Sequence, residues 1–512
     1  MKTTYKYLFL LLLSFSIVGC SDLEEEPVGL LAPDGFFQST SDIQTAVDGS
    51  LTHAINEKFW GRKLSIALML RSDMVSLASN ETRRVEMNDF TTLASNGMIS
   101  EFWPKTYQGI AAANQAIAGA ADVDVDDELK NPVTAQAYFA RAFYYFHLVR
   151  LFGEVPYIDE PVTDIDAATS MSKSSVSEIY ANIIADLEYA KTWLPNTQTS
   201  RATPSKAAAS SYLALVHLTM GNYQEAFTEA TEVINNAGTY DLALDDNYQN
   251  LFNADVIDAS KEPIFALDYN NFEAADNAYD QTAPMTGIRG DDRNLGGGWS
   301  VAVPTLEVYT TWDAGDYRRA VSLDDRASIG GTVVDYTEFD ISGHQFAKNN
   351  PYIAKYMRYP GLFARANARA TSHNYSMMRY AEVLLIAAEA AVEIGDNASA
   401  LTYINQVRER ARKGGATKTG ADEEYVFEAS SVPADLTGTV TVDDVLEERR
   451  LELAFEGKRW YDIVRRQIGS EVFGASGLEG LKASFDSNDY LLPLPEDELE
   501  RNPNLLPQNP GY

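Results

Sequence analysis

One residue in this chain is placed for covalent chemistry. Cys20 is the only cysteine among 512 residues, and it follows Ser16-Ile17-Val18-Gly19 at the end of a short apolar run. The run opens with Lys2 and Lys6 and continues through Leu8 to Leu13, Phe15, Ile17 and Val18. A basic start, a short apolar core and a small residue before the cut are the parts of an export signal. The run is shorter than the roughly 20 apolar residues a membrane span needs. A thiol directly after Val-Gly is the pattern of a bacterial lipoprotein, in which residues 1–19 are removed and Cys20 is lipidated and becomes the first residue. The alternative is an ordinary signal peptide with a chance cysteine. The only thiol falls where lipidation needs it, which favours the lipid. With Cys20 acylated no thiol remains for a disulfide, so burial alone must hold the core, and the chain is long enough for that.

The other chemistry available is recognition. Sugars present apolar C–H faces and hydroxyl edges, so a binder needs flat aromatics beside Asn, Asp, Arg or Glu. Between residues 239 and 375, Tyr269, Trp299, Tyr309 and Trp312 lie among Asn270, Asp291, Asp292, Arg293 and Asn294 in loop-like sequence. An early loop adds Asp73, Asn80 and Arg83. The candidate ligand-binding set is therefore Asp73, Asn80, Arg83, Tyr269, Asn270, Arg293, Trp299, Tyr309 and Trp312. For each tryptophan the competing role is core packing. Trp103, Trp193 and Trp460 are assigned to the core, and Trp299, after Gly296-Gly297-Gly298, is the expected exposed platform.

No catalytic constellation stands out. The histidines (53, 147, 217, 344 and 373) are scattered and form no helical zinc pair. Gly474-Ala475-Ser476-Gly477 does not fit a nucleophile elbow. The aspartates between Asp122 and Glu128 alternate like a calcium loop, but the turn glycine is missing and Val133 stands where the bidentate glutamate belongs. No enzyme, metal or cofactor is expected. The chain carries 41 Lys and Arg against 74 Asp and Glu, a net charge of −33. Such an acidic protein repels phosphate backbones and anionic headgroups, which disfavours nucleic-acid binding and leaves membrane attachment to the lipid.

The elements that would position these groups are mainly helical. Apolar residues recur at helical spacing from Ser41 to Phe59, with Ser41 or Thr40 as N-cap, and from Phe102 to Ala121, Thr134 to Phe152 and Val176 to Leu194. The aromatics of Thr134–Phe152 surround most of its cylinder, so this helix is expected to be buried. Two segments then repeat one pattern: an Ala-rich helix, a Gly break and a second helix. They are Lys206–Met220 with Gly221 and the helix from Tyr223, and Tyr380–Ile394 with Gly395 and the helix from Ala398. Ala226 and Ala400 follow their glycines at the same spacing. This is the tetratricopeptide unit, and about four such pairs would stack into a curved scaffold. Asp443–Gln467 reads as one regular helix, with Glu447–Arg450 and Glu456–Arg459 paired a turn apart. The tail from Leu491 is extended and proline-studded, with one turn at Glu496–Glu500. The expected organisation is a signal peptide at 1–19, the lipidated cysteine and tether at 20–40, the first part of the scaffold at 41–238, a loop-rich insertion with the ligand face at 239–375, and the rest of the scaffold with the tail at 376–512.

Four blocks in register, RAFYYFHLVRLFGEVPYI (141–158), RYAEVLLIAAEA (379–390), EERRLELAFEGKRWYDIVR (447–465) and LLPLPEDELERNPNLLPQNPGY (491–512), resemble the SusD/RagB family of Bacteroidetes surface lipoproteins. The resemblance implies a scaffold of four tetratricopeptide pairs with a loop-rich ligand face, no catalysis, an oligosaccharide ligand, and attachment to the outer leaflet of the outer membrane through the lipid on Cys20. It also implies a SusC-like TonB-dependent transporter as partner, with the lipoprotein as its lid. Asp22, Glu24, Glu25 and Glu26 loosely fit the family's acidic surface-export signal. The alternative keeps the scaffold and makes it a peptide-binding or assembly adaptor that uses the tetratricopeptide groove.

Overall fold

A computed structural model describes residues 35–78, 80–269, 278–292, 298–338, 350–361, 370–418, 424–473 and 482–512. The signal peptide, Cys20, the tether up to residue 34, Asn270 and Arg293 lie outside the described residues.

Eight helices form the scaffold: α1 (Thr40–Ala54), α2 (Ile99–Ala120), α3 (Asp127–Phe152), α4 (Val176–Trp193), α5 (Lys206–Met220), α6 (Tyr223–Asn235), α7 (Tyr380–Glu393) and α8 (Asn397–Arg412). They pack as the pairs α1–α2, α3–α4, α5–α6 and α7–α8, and α2 then meets α3, α4 meets α5 and α6 meets α7. Each helix thus lies against its chain neighbour, which is the stacked tetratricopeptide arrangement expected. The turns in the two clear repeats depend on glycine: Gly221 and Gly395 take φ of +78° and +81°, a left-handed conformation that ends the first helix. Ala226 and Ala400 are fully buried where the second helix crosses the first. Helix α3 is buried along nearly its whole length from Thr134 to Phe152, with Phe139 and Phe143 edge-on to Tyr212 of α5.

Several helix boundaries differ from the sequence reading: α1 ends at Ala54 and not Phe59, and α2 begins at Ile99 and not Phe102. The cap of α1 is Ser39, which forms a capping box with Asp42, because that carboxylate reaches back to the Ser39 amide at 2.8 Å. Helix α3 starts a further two turns earlier, at Asp127. The helix expected over Asp443–Gln467 is broken into α9 (Val442–Glu452) and α10 (Arg459–Arg466). Between them Phe455 and Gly457 take φ of +65° and +72°. The break turns Glu456 inward onto Lys355 and Arg379 and lets Arg459 reach Asp73, so the expected Glu456–Arg459 pair does not form. Glu447 and Arg450 do pair, at 2.7 Å.

Among the described residues the strands form five two-stranded antiparallel sheets. β1 (Val75–Leu77) pairs with β3 (Ala302–Pro304), β2 (Pro263–Asp268) with β8 (Asn374–Arg379), β4 (Leu323–Asp324) with β7 (Tyr352–Ile353), β5 (Arg326–Ile329) with β6 (Thr332–Asp335), and β9 (Ala416–Lys418) with β10 (Glu424–Val426). The main hydrophobic core runs from the scaffold into the segments inserted between α6 and α7, and a separate small core joins α1, α2 and the start of α3. Below those segments lies a buried ion network. Arg318 reaches Asp316, Glu448 and Glu452 at 2.8, 2.6 and 3.0 Å. Arg379 reaches Glu262 at 2.8 Å and Glu456 at 2.9 Å, and also meets Glu452. Arg410 binds Glu262 at 2.6 Å and Glu452, and Lys355 binds Glu456 at 2.9 Å. Burial pushes the Glu452 carboxyl up, but Arg410, Arg379 and Arg318 outweigh it and hold it at about 2. The network ties 262, 316–318 and 355 to α8 and α9. Among the described residues no helix is long and apolar enough to cross a membrane.

Candidate functional site

The helix Leu306–Thr311 is capped by Thr305, whose hydroxyl accepts from the Val308 amide, and it carries Tyr309. The next helix, Tyr317–Ser322, is capped by Asp316, which accepts from the Arg318 amide at 2.9 Å. Consecutive helical residues point about 100° apart. Arg318 therefore enters the buried network while Arg319 turns outward and lies over the Tyr309 ring, its guanidinium carbon 4.2 Å from the centroid. Arg319 also donates to the Tyr309 carbonyl at 3.1 Å. The Tyr309 hydroxyl donates to Asp325 at 3.2 Å, and its ring meets Tyr336 edge-on at 5.1 Å. The tyrosine is thus held by three neighbours, and it lines a cavity.

That cavity has a volume of about 370 Å3. Its opposite wall comes from the β9–β10 hairpin, with Thr417, Lys418, Tyr425 and Phe427; Arg326 and Arg358 complete it. Phe427 stacks at a tilt on Tyr317, 5.3 Å between centroids, while Tyr425 is 46% exposed, an aromatic face open to solvent. Arg358 is anchored by the Leu323 carbonyl at 2.7 Å, Thr417 at 2.9 Å and Asp324 at 3.0 Å. The site therefore offers ring faces, a carboxylate and N–H donors around one concavity. These are the elements for holding a ring-shaped polyol.

A second candidate surface lies at the end of β1. The Ala78 amide donates to the Val301 carbonyl at 2.7 Å, which continues the β1–β3 pairing by one residue. A small core of Ala78, Ile288, Val303, Ala327 and Tyr352, with Tyr336 packed against it, joins this surface to the β5–β6 hairpin. Gly330 and Gly331 make the hairpin turn with φ of +58° and +74°, the two-residue geometry that glycine permits. Asp292 closes the turn, accepting from the Gly331 amide at 2.7 Å and from Ser328 at 3.1 Å.

The structure places the described candidate residues differently. Asn80 is exposed, and Trp299 is half-buried against the core. Tyr309 lines the cavity. Arg83 is partly exposed and bound to Glu81 and Glu101. Asp73, Tyr269 and Trp312 are buried, and as placed they offer nothing to a surface ligand. Asp73 is clamped by Arg459 through two contacts of 2.9 Å; burial pushes its carboxyl up, but Arg459 outweighs that and holds it below the usual range. Trp312 donates to Asp316 at 3.1 Å, and Tyr269 packs edge-on against Tyr375 at 5.7 Å. Trp103 and Trp460 are core residues as expected, whereas Trp193 is half-buried. Sequence reasoning missed Arg319, Asp325, Arg326, Lys418, Tyr425 and Phe427. The Gly330-Gly331 pair between Ile329 and the β-branched run Thr332–Val334 is the available signal for the hairpin; nothing local announces β9–β10 as a wall of the same site.

Two further cavities differ in character. One, of about 380 Å3, is an apolar groove between α2, the segment after α3 and the short helix Glu496–Arg501, lined by Trp103, Tyr107, Ile110, Ile158, Val162 and Leu505 among others. The other, of about 410 Å3, is polar and includes Arg201, Asp241, Asp258, Lys261 and Asp268. Burial pushes the Asp268 carboxyl up to about 6. Among the described residues no group of three or more His, Cys, Asp or Glu side chains is arranged to hold a metal ion.

A scaffold of four stacked helix pairs with an aromatic and polar cavity built on the inserted loops defines a class of binding protein. The comparisons give the family. A family described as SusD matches residues 331–512, and one described as starch-binding and associating with the outer membrane matches residues 32–218. SusD-like protein P2 of Formosa agariphila is 51% identical over 99% of this chain and 99% of its own length. The chain belongs to the SusD family. Among solved structures, a SusD homologue from Bacteroides thetaiotaomicron superposes with a TM-score of 0.77 at 20% identity, covering 94% of this chain and 98% of that one. A laminarin-binding SusD-like protein does so with a TM-score of 0.76 at 23% identity, covering 93% of this chain and 100% of that one.

Proposed function

We propose that this protein is a glycan-binding lipoprotein of the outer membrane. It is held at the cell surface by lipid on Cys20 and binds an oligosaccharide for delivery to a SusC-like TonB-dependent transporter. It binds and does not catalyse. The observation that carries the reading is the cavity between Tyr309 and Tyr425, where ring faces stand beside Asp325, Thr417 and the basic side chains on a SusD fold. Membership of the SusD family, a family description that names starch binding and the outer membrane, and a laminarin-binding structural neighbour all support it.

The test is calorimetry or affinity electrophoresis of protein beginning at Ser21 against a panel of neutral and charged glycans, with Tyr309→Ala and Tyr425→Ala alongside. Each substitution should weaken binding by roughly tenfold, about one aromatic stacking contact. Absence of glycan binding, with peptides bound instead, would overturn the proposal in favour of the adaptor. The adaptor has one observation of its own, the apolar groove along α2.

A further inference from the structure

We propose that the apolar groove along α2 seats this chain's own N-terminal segment, Val28-Gly29-Leu30-Leu31-Ala32-Pro33, as a strap between the lipidated end and the folded body. The segment lies outside the described residues, and the grounds for it are position and chemistry. The groove, of about 380 Å3, is walled by Trp103, Tyr107, Ile158, Val162 and Leu505. Val162 is 43% exposed, so this apolar wall stands open to solvent. An open apolar groove of this kind marks a contact site.

The described chain begins at Gly35 and brings the Phe37 ring against Gly119, near the C-terminal end of α2. The same helix supplies Trp103, Tyr107, Ala111 and Asn114 to the groove. At 1.5 Å per residue, Ala111 lies about 12 Å and Tyr107 about 18 Å back along the axis from Gly119. The six steps from Phe37 back to Leu31 span up to about 20 Å. The route is open, because Ala118, Gln115, Ala111 and Gln108 recur every three or four residues and are all exposed. Helix α1 covers a different face, through Ala113, Ala116 and Ala120.

The chemistry matches. Residues 28–33 carry no charge, and they stand between the acid-rich run at 22–26 and Asp34. The groove's charged residues are Glu160, Glu498 and Arg501, and the last two pair with each other. An uncharged apolar segment suits that lining, while Glu160 repels the acidic run that precedes it. Pro33 restricts the backbone, so less freedom is lost on docking. Burying two leucines gains about what ordering a few residues costs, which makes the strap reversible. Seated, it leaves residues 20–27 between lipid and body, at most about 25 Å; released, residues 20–34 allow about 50 Å. The groove thus sets how far from the membrane the glycan cavity is held.

Protein beginning at Ser21 contains no cysteine, so an introduced pair reports cleanly on the contact. The experiment compares Leu31→Cys/Val162→Cys, across the groove, with Leu31→Cys/Thr45→Cys, which places the second thiol on the exposed side of α1 within the same reach. Disulfide formation with oxidised glutathione is followed by non-reducing electrophoresis and mass, and thermal unfolding of the reduced variants should match the parent. The groove pair should close about tenfold faster than the α1 pair, as a raised effective concentration requires. Adding Leu30→Asp to the groove pair should bring its rate down to that of the α1 pair. Equal rates for the two pairs would overturn the proposal, and so would a fast groove pair that Leu30→Asp leaves unchanged. Disulfide-linked dimers in place of the internal bond would assign the groove to a second copy and overturn it as well.

Discussion

Arg318 and Arg319 are chain neighbours on one short helix, and they do opposite things. Arg318 is fully buried, and each of its terminal nitrogens is matched by a carboxylate from Asp316, Glu448 or Glu452. Arg319 is half-exposed and spends its guanidinium on the face and carbonyl of Tyr309, beside an open cavity. The same contrast holds between the two regions. In the network below, Arg318, Arg379, Arg408, Arg410 and Lys355 meet Asp316, Glu262, Glu448, Glu452 and Glu456, so five cations face five carboxylates within the fold. In the cavity above, the described lining holds Arg319, Arg326, Arg358 and Lys418 beside Asp325, with Asp324 on Arg358 behind it. A buried charge has to be paired inside the protein or it destabilises the fold. A charge at a cavity open to solvent carries no such requirement. The first region should answer to stability measurements, the second to affinity.

The largest effect should come from breaking the network on one side only. Arg379→Met leaves Glu262, Glu452 and Glu456 buried without one of their shared cations, and Arg318→Met does the same to Glu448 and Glu452. Each should destabilise by about 3–5 kcal/mol, read as a fall in the denaturant midpoint. A loss below about 1 kcal/mol would mean that water reaches these carboxylates and that the two regions do not differ as described.

The network also sets an acid limit. Glu452 is held at about 2 by Arg410, Arg379 and Arg318, and Asp462, which pairs with Arg449 and Arg465 nearby in the chain, is also held at about 2, because these arginines outweigh burial. They stay charged in the fold at pH values where the unfolded chain's carboxylates, near 4.5 and 3.8, take up protons. The unfolded state then binds more protons, so stability falls as pH drops from about 4.5 toward 2 and this contribution is flat above that. Asp280 acts in the opposite sense. Burial pushes its carboxyl up to about 6, so the folded state holds the proton longer and stability falls as pH rises from about 4 to 6. Relative to the parent, Asp280→Asn should therefore gain stability as pH rises from about 4 to 6. A parent-to-variant difference that stays flat across that window would contradict the Asp280 assignment.

The scaffold was legible because its signals are local. Lys206–Met220 and the helix from Tyr223 to Asn235 begin and end where the alanines, Gly221 and the amphipathic run place them. The helix over Asp443–Gln467 was misread because its periodicity continues across a break set by distant partners. Lys355 and Arg379 draw in Glu456, and Asp73 draws Arg459, and neither attraction is visible in the segment itself. The site was half legible for the same reason. Tyr309 stood out as an aromatic among polar loop residues, but so did Tyr269 and Trp312, and only the packing decides that these two are inside. Tyr425 and Lys418 belong to a hairpin after α8, brought to Tyr309 by the way that hairpin packs on the segments inserted before α7, so no spacing in the chain connects them.

Arg319→Gln is the finest test of the comparison, because it touches the cavity and spares the network one residue away. The substitution removes the stack on Tyr309 and the bonds to its carbonyl, and leaves no buried charge unpaired. An exposed cation–π contact is worth about 0.5–1 kcal/mol, so the denaturant midpoint should move only slightly, far less than for Arg318→Met. Affinity for the oligosaccharide should fall by about tenfold, since one donor is lost and Tyr309 loses a brace. Arg319→Lys should recover the stability but only part of the affinity, because an ammonium keeps the charge without the planar fork. If Arg319→Gln costs as much stability as Arg318→Met, Arg319 belongs to the supporting framework. If Arg319→Lys binds as tightly as the parent, charge alone is read at this position and the orientation imposed by Tyr309 has no part in it.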